Sequence, residues 1–343
     1  MPIIWSSNDH ESTSLDYPAR FEESLSLNNR YTVEMSCNHL GYSDKLLKMF
    51  PKDYRKNHNL FQFTIIREPL EMINSIYHYY KHFADYRCFQ NSNNFSDFLI
   101  NYDSYIADIG VGFPLCKNGV AYDLGYRDDE DEAIFEMIND LDRKMDLVLI
   151  LEYYWESMVL LKYALDLSTS DVIAFKLNRA VVNENAILKN ERPTELQKYQ
   201  KLVHKNFPAD TAIYNFFRKR FLSKIQTFGM DKMKVEVDIL KQATRNEYEK
   251  CQVFEVIPLG KNGDFLPEQK VPENKIPWHP PNVRISSLLF NFSRSDDPNF
   301  YENCLYKTLP ELKMGALVKK YQLEEGIVKR RTLSGWFNQL WYT

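Results

Sequence analysis

Residues Phe63–Phe83 read FTIIREPLEMINSIYHYYKHF. A short β-branched run stops at Arg67, passes through Glu68 and Pro69, and turns into a polar and aromatic segment that carries Ser75. The run predicts a strand over Phe61–Ile66. The following segment predicts a helix over Leu70–Phe83 entered through Pro69, whose fixed φ and missing N–H suit a first helical turn. In parallel α/β sheets, ligands bind beyond the carboxyl ends of the strands. Arg67 stands just past such an end, where a guanidinium grips a phosphate with two parallel hydrogen bonds. The eight residues from Arg67 to Ser75 span about 12 Å of helix, so both reach one phosphate only if the helix lies across it. The same residues also allow a plainer reading, in which Arg67 pairs with a surface carboxylate and Ser75 is a neutral helix position.

Outward from this stretch, elements alternate. Tyr31–Met35 predicts a short strand and Ser43–Phe50 a helix, with Ser43 as N-cap. Residues 91–127 are rich in Asn, Gly and Asp and read as loop, with a helix near Phe95–Ile106. Ile134, Met137, Ile138 and Leu141 give helical spacing within Asp128–Met145. Asp146–Leu151 (DLVLIL) is the clearest buried strand, Tyr154–Leu165 a helix after it, and Asp171–Leu177 (DVIAFKL) a third strand. Such alternation argues for a parallel sheet covered by helices. Residues 192–250 are helical in period, Pro258–Pro281 is a proline-rich irregular excursion, and residues 302–322 and 333–342 read as terminal helices.

The chain has 343 residues, 44% hydrophobic, with a formal net charge of -4, which suits a globular protein with a full core. Charges of both signs are interspersed among the 26% charged residues, so composition points away from nucleic acid; local arginines decide whether a phosphate-bearing ligand binds. No run reaches the ~18 apolar residues of a membrane span, and the first residues have no signal-peptide pattern. Read literally, that is a cytosolic chain. The five cysteines, Cys37, Cys88, Cys116, Cys251 and Cys304, include no CxxC pair, so neither a zinc nor a thioredoxin site is expected, and no metal. Reduced cysteines and luminal disulfides both stay open. Asn94 and Asn291 each open an N-x-S sequon.

The arrangement strand, R-[DE]-P, then Ser eight residues after the Arg within an aromatic helix resembles the 3′-phosphate-binding segment of sulfotransferases that use 3′-phosphoadenosine 5′-phosphosulfate (PAPS). The wording FTIIREPLEMINSIYHYYK is similar to the galactose-3-O-sulfotransferases, the group that includes galactosylceramide sulfotransferase. CNHLGYS at Cys37–Ser43, YDLGY at Tyr122–Tyr126, DLVLILEYYWESMVLLK at Asp146–Lys162, DVIAFKLN at Asp171–Asn178 and PADTAIYNFF at Pro208–Phe217 fit the same group in the same order. So do the regions Trp278–Phe292 and Cys304–Tyr321.

The resemblance implies a P-loop-like α/β sulfotransferase fold: a central parallel sheet flanked by helices, one domain over 1–343, with 192–343 as its mostly helical C-terminal part. It implies PAPS as co-substrate, held by Arg67 and Ser75, and transfer of sulfate to the 3-hydroxyl of a terminal β-galactose on a glycolipid or glycan. His39 matches the family's histidine and is the candidate general base, although Gly41 stands where the family usually has an arginine. Glu152, at the end of the DLVLIL strand, is a candidate for binding the acceptor sugar or holding a basic partner such as Arg67. Lys176 is a candidate anion contact. A Golgi luminal setting would let Cys251 pair with Cys304 across the proline-rich excursion, and let Asn94 and Asn291 carry glycans.

The family's phosphate loop, of the type K-T-[AG]-S-[ST], has no counterpart in these residues, nor has its N-terminal signal-anchor. The expectation is an N-terminally truncated reading of a full enzyme, or a shortened, inactive sulfotransferase-like binding protein. A glycosaminoglycan acceptor is disfavoured, because basic clusters are few (Arg218–Arg220, Lys329–Arg331).

Overall fold

In the computed structural model, the described residues are the backbone of 3–5 and 35–37, then 61–82, 86–107, 114–126, 129–177, 179–180, 192–260, 262–280, 282–310, 313–314 and 317. Two compact units are distinguished, residues 1–59 with 311–343, and residues 60–310. In the first, β1 (Ile3–Trp5) pairs in parallel with β2 (Met35–Cys37). The predicted strand over Tyr31–Met35 meets β2 only at its last residue, and the helix over Ser43–Phe50 lies outside the described residues.

The second unit is mixed α/β and mostly helical. β3 (Phe63–Ile66) leads into α1 (Pro69–Tyr80), with Pro69 in its first turn as expected. Short helices follow: α2 (Arg87–Gln90), α3 (Phe95–Ile100), α4 (Tyr102–Ala107) and α5 (Gly119–Asp123). α6 (Asp131–Lys144) precedes β4 (Leu147–Ile150), and α7 (Tyr154–Ala164) follows through a 3-10 turn at Leu151–Tyr153. Then come α8 (Pro193–Asn206), α9 (Pro208–Phe228) and α10 (Met230–Lys250). β5 (Val253–Val256), β6 (Ser287–Phe290) and α11 (Pro298–Thr308) complete the unit.

β3 and β4 run parallel in a two-stranded sheet, with Ile66 beside Ile150. Every residue of β4 is buried, which fits its unbroken apolar sequence. Residues of α6, α7, α9 and α10 pack on it: Met137, Leu141, Val159, Phe217, Phe221 and Val237 are all buried there. A second core joins α1 to α3 and α8 through Tyr77, Phe89, Phe95, Phe98 and Val203. In it the Tyr77 ring lies 5.7 Å from Phe89 and 5.4 Å from Phe95, within aromatic contact range.

Three expectations need correcting. DVIAFKL is no strand: Ser170–Val172 is a 3-10 turn, closed where the Ser168 N–H donates to Asp171 Oδ2 at 2.8 Å. Val172, Ile173 and Phe175 are buried, so the apolar character serves packing, without ladder pairing. The loop-like stretch 91–127 carries three helices rather than one. The proline-rich excursion is flanked by an unforeseen antiparallel pair, β5 with β6. Disulfides join Cys251 to Cys304 across it and Cys88, within α2, to Cys116.

Candidate functional site at the strand tips

Parallel register places Arg67 and Leu151 side by side just beyond the carboxyl ends of β3 and β4. Arg67 folds back along α1, and its Nη2 pairs with Glu71 Oε2 at 2.9 Å. Glu71, Ser75 and Tyr79 then follow one another at four-residue spacing, so they share a ridge of the helix. All three are half-buried, whereas Leu70, Ile73, Asn74, Ile76 and Tyr77 are buried in the core. Glu71, the residue that pairs with the guanidinium, precedes Ser75 by one turn, about 6 Å of rise. Ser75 Oγ has no hydrogen-bond partner among the described residues. Glu71 occupies the guanidinium, so an anion bound there would have to take its place.

Glu68 is the N-cap of α1: its Oε2 accepts the Glu71 N–H at 2.8 Å. Burial pushes its carboxyl up, and the nearby charges of Glu71 and Glu152 push the same way, against the lowering by the backbone N–H groups of Glu71 and Leu70. The backbone N–H of Glu68 donates to Glu152 Oε1 at 2.9 Å. The Tyr214 hydroxyl, from α9, donates to Glu152 Oε2 at 3.3 Å. Glu152 thus holds the backbone next to Arg67, and among the described residues its hydrogen-bond partners are the Glu68 N–H and the Tyr214 hydroxyl, not the guanidinium. Tyr214 is itself raised, first by burial and then by the Glu152 charge.

One helical turn along α9, Arg218 Nη2 donates to the Tyr153 hydroxyl at 3.0 Å. Buried Ser157 stitches the base of this corner, donating to Ile150 O at 2.9 Å and accepting from Ile150 N at 3.1 Å. Two turns of sequence far apart, 67–68 and 151–153, are therefore fixed to each other and to α9.

His39 lies outside the described residues. Lys176 is exposed in the irregular segment after the 3-10 turn, and no contact joins it to the Arg67 corner. Asn94 and Asn291 are exposed; Asn94 is the N-cap of α3, its Oδ1 accepting the Asp97 N–H at 2.9 Å. Among the described residues no group of His, Cys, Asp or Glu could hold a metal ion, and no helix is long and apolar enough to cross a membrane.

A cavity of about 580 Å³ opens at the opposite, amino ends of β3 and β4, lined by Phe61, Met145, Leu147, Phe217, Phe221 and Lys224. It belongs to a different end of the sheet from Arg67. Tyr214 and Glu68 were missed as members of the strand-tip corner. A tyrosine four residues before an arginine on α9 was the available signal, but nothing in the sequence says which strand end that face meets.

Residues 7–322 match the family described as Galactose-3-O-sulfotransferase. Human galactosylceramide sulfotransferase is 27% identical over 304 residues, 87% of this chain and 67% of its own length. The bovine galactosylceramide sulfotransferase is 26% identical over 305 residues, 87% and 67% of the two chains. Pig galactose-3-O-sulfotransferase 2 is 28% identical over 232 residues, 66% of this chain and 54% of its own length. No solved structure matches.

Proposed function

The chain belongs to the galactose-3-O-sulfotransferase family, and on that premise we propose that it is a carbohydrate sulfotransferase using PAPS. The acceptor is the 3-hydroxyl of a terminal β-galactose on a glycolipid such as galactosylceramide, or on a glycan. The setting is the Golgi lumen, in keeping with two disulfides and two exposed sequons. One observation carries the reading: a guanidinium at the tip of a parallel strand, paired with Glu71 one turn before a half-buried serine on the helix that follows.

In this reading Arg67 and Ser75 hold the 3′-phosphate. Arg67 supplies charge and a planar fork, while Ser75 supplies a donor from a rigid helix. The contact selects the nucleotide and sets its register, which is a contribution from positioning. In the transfer, the acceptor oxygen attacks sulfur. The new O–S bond forms as the bond from sulfur to the 5′-phosphate oxygen breaks. Adenosine 3′,5′-bisphosphate leaves, and the hydroxyl proton passes to a general base, the role proposed for His39. Phosphoryl transfer makes similar demands on position and charge.

The test is transfer of labelled sulfate from PAPS to galactosylceramide and to N-acetyllactosamine, beside calorimetric titration with adenosine 3′,5′-bisphosphate. Transfer to one galactoside, and weaker nucleotide binding in Arg67→Ala by roughly 10- to 100-fold, is the expected result, since charged hydrogen bonds contribute about 1.5–3 kcal/mol. No product on any galactoside sinks the substrate assignment. Bisphosphate affinity untouched by Arg67→Ala sinks the site.

A further inference from the structure

We propose that Glu152 is a positioning residue, whose carboxylate anchors the Arg67–Glu68 turn to α9 and so presets the guanidinium for the nucleotide's phosphate. The inference rests on the sulfotransferase reading of the site.

Arg67 sits in the short link between β3 and α1, where the backbone has left the strand ladder and not yet joined the helix. Such a link is held only by what its few polar groups find. Here the contacts form one series. Glu152 Oε1 takes the Glu68 N–H at 2.9 Å, and Glu68 Oε2 takes the Glu71 N–H at 2.8 Å. The guanidinium itself rests on Glu71 Oε2, at 2.9 Å from Nη2, the partner a phosphate would displace. At the other end, Glu152 Oε2 accepts from Tyr214 of α9 at 3.3 Å. Glu152 uses both oxygens, one toward the turn and one toward the helix packed on the sheet.

The placement is not what stability alone would choose. Glu152 brings a second carboxylate near that of Glu68, and the repulsion helps to push Glu68 up. Two things offset that repulsion, the N–H at the positive end of α1 and the exposure of the Glu152 side chain to solvent, and its anchor is also rigid. The rigidity comes from the 3-10 turn after β4 and from Ser157 gripping both polar groups of Ile150. A site works when its binding group is locked by neighbours that do not touch the ligand, and Glu152 occupies that place relative to Arg67.

The experiment titrates adenosine 3′,5′-bisphosphate into the unaltered protein, Glu152→Ala, Glu152→Gln, Tyr214→Phe and Arg67→Ala with and without Glu152→Ala, with melting temperature and hydrogen exchange at the Glu68 amide as companion readouts. Glu152→Ala should weaken binding about tenfold, speed exchange at Glu68 and leave the melting temperature nearly in place. Glu152→Gln should retain most of the affinity, because its amide oxygen still accepts the Glu68 N–H. Tyr214→Phe should lose a few-fold. In the Arg67→Ala background, Glu152→Ala should add nothing.

If the unaltered protein binds and Glu152→Ala binds equally well, this proposal falls and the sulfotransferase reading stands. A full further loss in the Arg67→Ala background also overturns it, since Glu152 would then act on its own. Absence of bisphosphate binding in the unaltered protein removes the sulfotransferase reading, and this proposal with it.

Discussion

Asn118 and Asp210 cap each other's helices. Asp210 at the start of α9 accepts the N–H groups of Val120 at 3.2 Å and Ala121 at 2.8 Å, which open α5. Asn118, just before α5, accepts through Oδ1 the N–H groups of Ala209 at 3.1 Å and Asp210 at 3.3 Å, which open α9. Asn118 adopts φ 51°, a left-handed conformation that asparagine tolerates better than most residues. Four orphan donors at two helix starts are thus satisfied by two side chains, and α9 is fixed in the orientation that brings Tyr214 to Glu152.

Burial pushes the Asp210 carboxyl up to about 7, against the lowering by the Ala121 and Val120 N–H groups. Between the ordinary carboxylate range and pH 7, the folded state keeps the proton and the unfolded state has lost it. Stability must therefore fall as pH rises through that window, at up to about 1.4 kcal/mol per pH unit. Urea unfolding at pH 5, 6 and 7 checks this: Asp210→Asn should flatten the trend. Asp210→Ala should cost about 2 kcal/mol at pH 5 through the lost caps. A slope equal in Asp210→Asn and the unaltered protein would assign the pH dependence to other groups.

Glu71 competes with the ligand for Arg67. The pair is partly exposed, with side chains 31% and 45% accessible, so it contributes no more than about 1 kcal/mol. Glu71→Gln weakens that pairing without removing the helix position. Affinity for adenosine 3′,5′-bisphosphate should rise, by no more than about fivefold, with the gain shrinking at high salt. A loss of affinity would mean instead that Glu71 aims the guanidinium at the phosphate.

How much of this was legible beforehand depended on whether the cause was local. DLVLIL declares β4 because four buried apolar residues in a row have few other uses. Arg67 stands out as a candidate because strand end, arginine, proline and helix lie within a few consecutive residues. DVIAFKL misleads because a short buried apolar run looks the same whether or not a neighbouring strand is present; the Ser168–Asp171 turn shows that it is not a strand. Glu152 is visible at its strand end, yet its partners, Glu68 and Tyr214, lie 84 and 62 residues away. Sequence spacing cannot say whether a carboxylate meets a guanidinium or the amide beside it.

Asn94 tests the luminal assignment without asking for activity. As N-cap of α3 it uses Oδ1 and leaves Nδ2, the atom a glycan would occupy, outside the cap bond. Glycosylation is therefore compatible with the cap. Expression in secretory cells should give a mass that drops on glycosidase treatment, with one step lost in Asn94→Gln and another in Asn291→Gln. Asn94→Asp keeps the capping oxygen and loses only the glycan, so its melting temperature separates the two roles. An unmodified secreted product would remove both sites.

The Cys251–Cys304 bridge closes a chain separation of 53 residues, between the end of α10 and α11. Chain-entropy reasoning gives about 4 kcal/mol for a loop of that length, an upper value because unfolded chains keep residual structure. The same bridge holds α11 against β6 and α10, where Cys251 and Cys304 are buried with Leu240, Val253 and Leu288. Cys251→Ser with Cys304→Ser should therefore lower stability by roughly 2–4 kcal/mol in urea unfolding. The Cys88–Cys116 bridge spans 28 residues within the aromatic core around Tyr77, beside α1. Replacing that pair should cost somewhat less globally, but should also loosen the helix bearing Ser75. Hydrogen exchange in α1 distinguishes the cases: it should quicken when Cys88 and Cys116 are replaced and stay slow when Cys251 and Cys304 are. Equal protection of α1 in both double variants would separate Ser75 from the aromatic core beneath it.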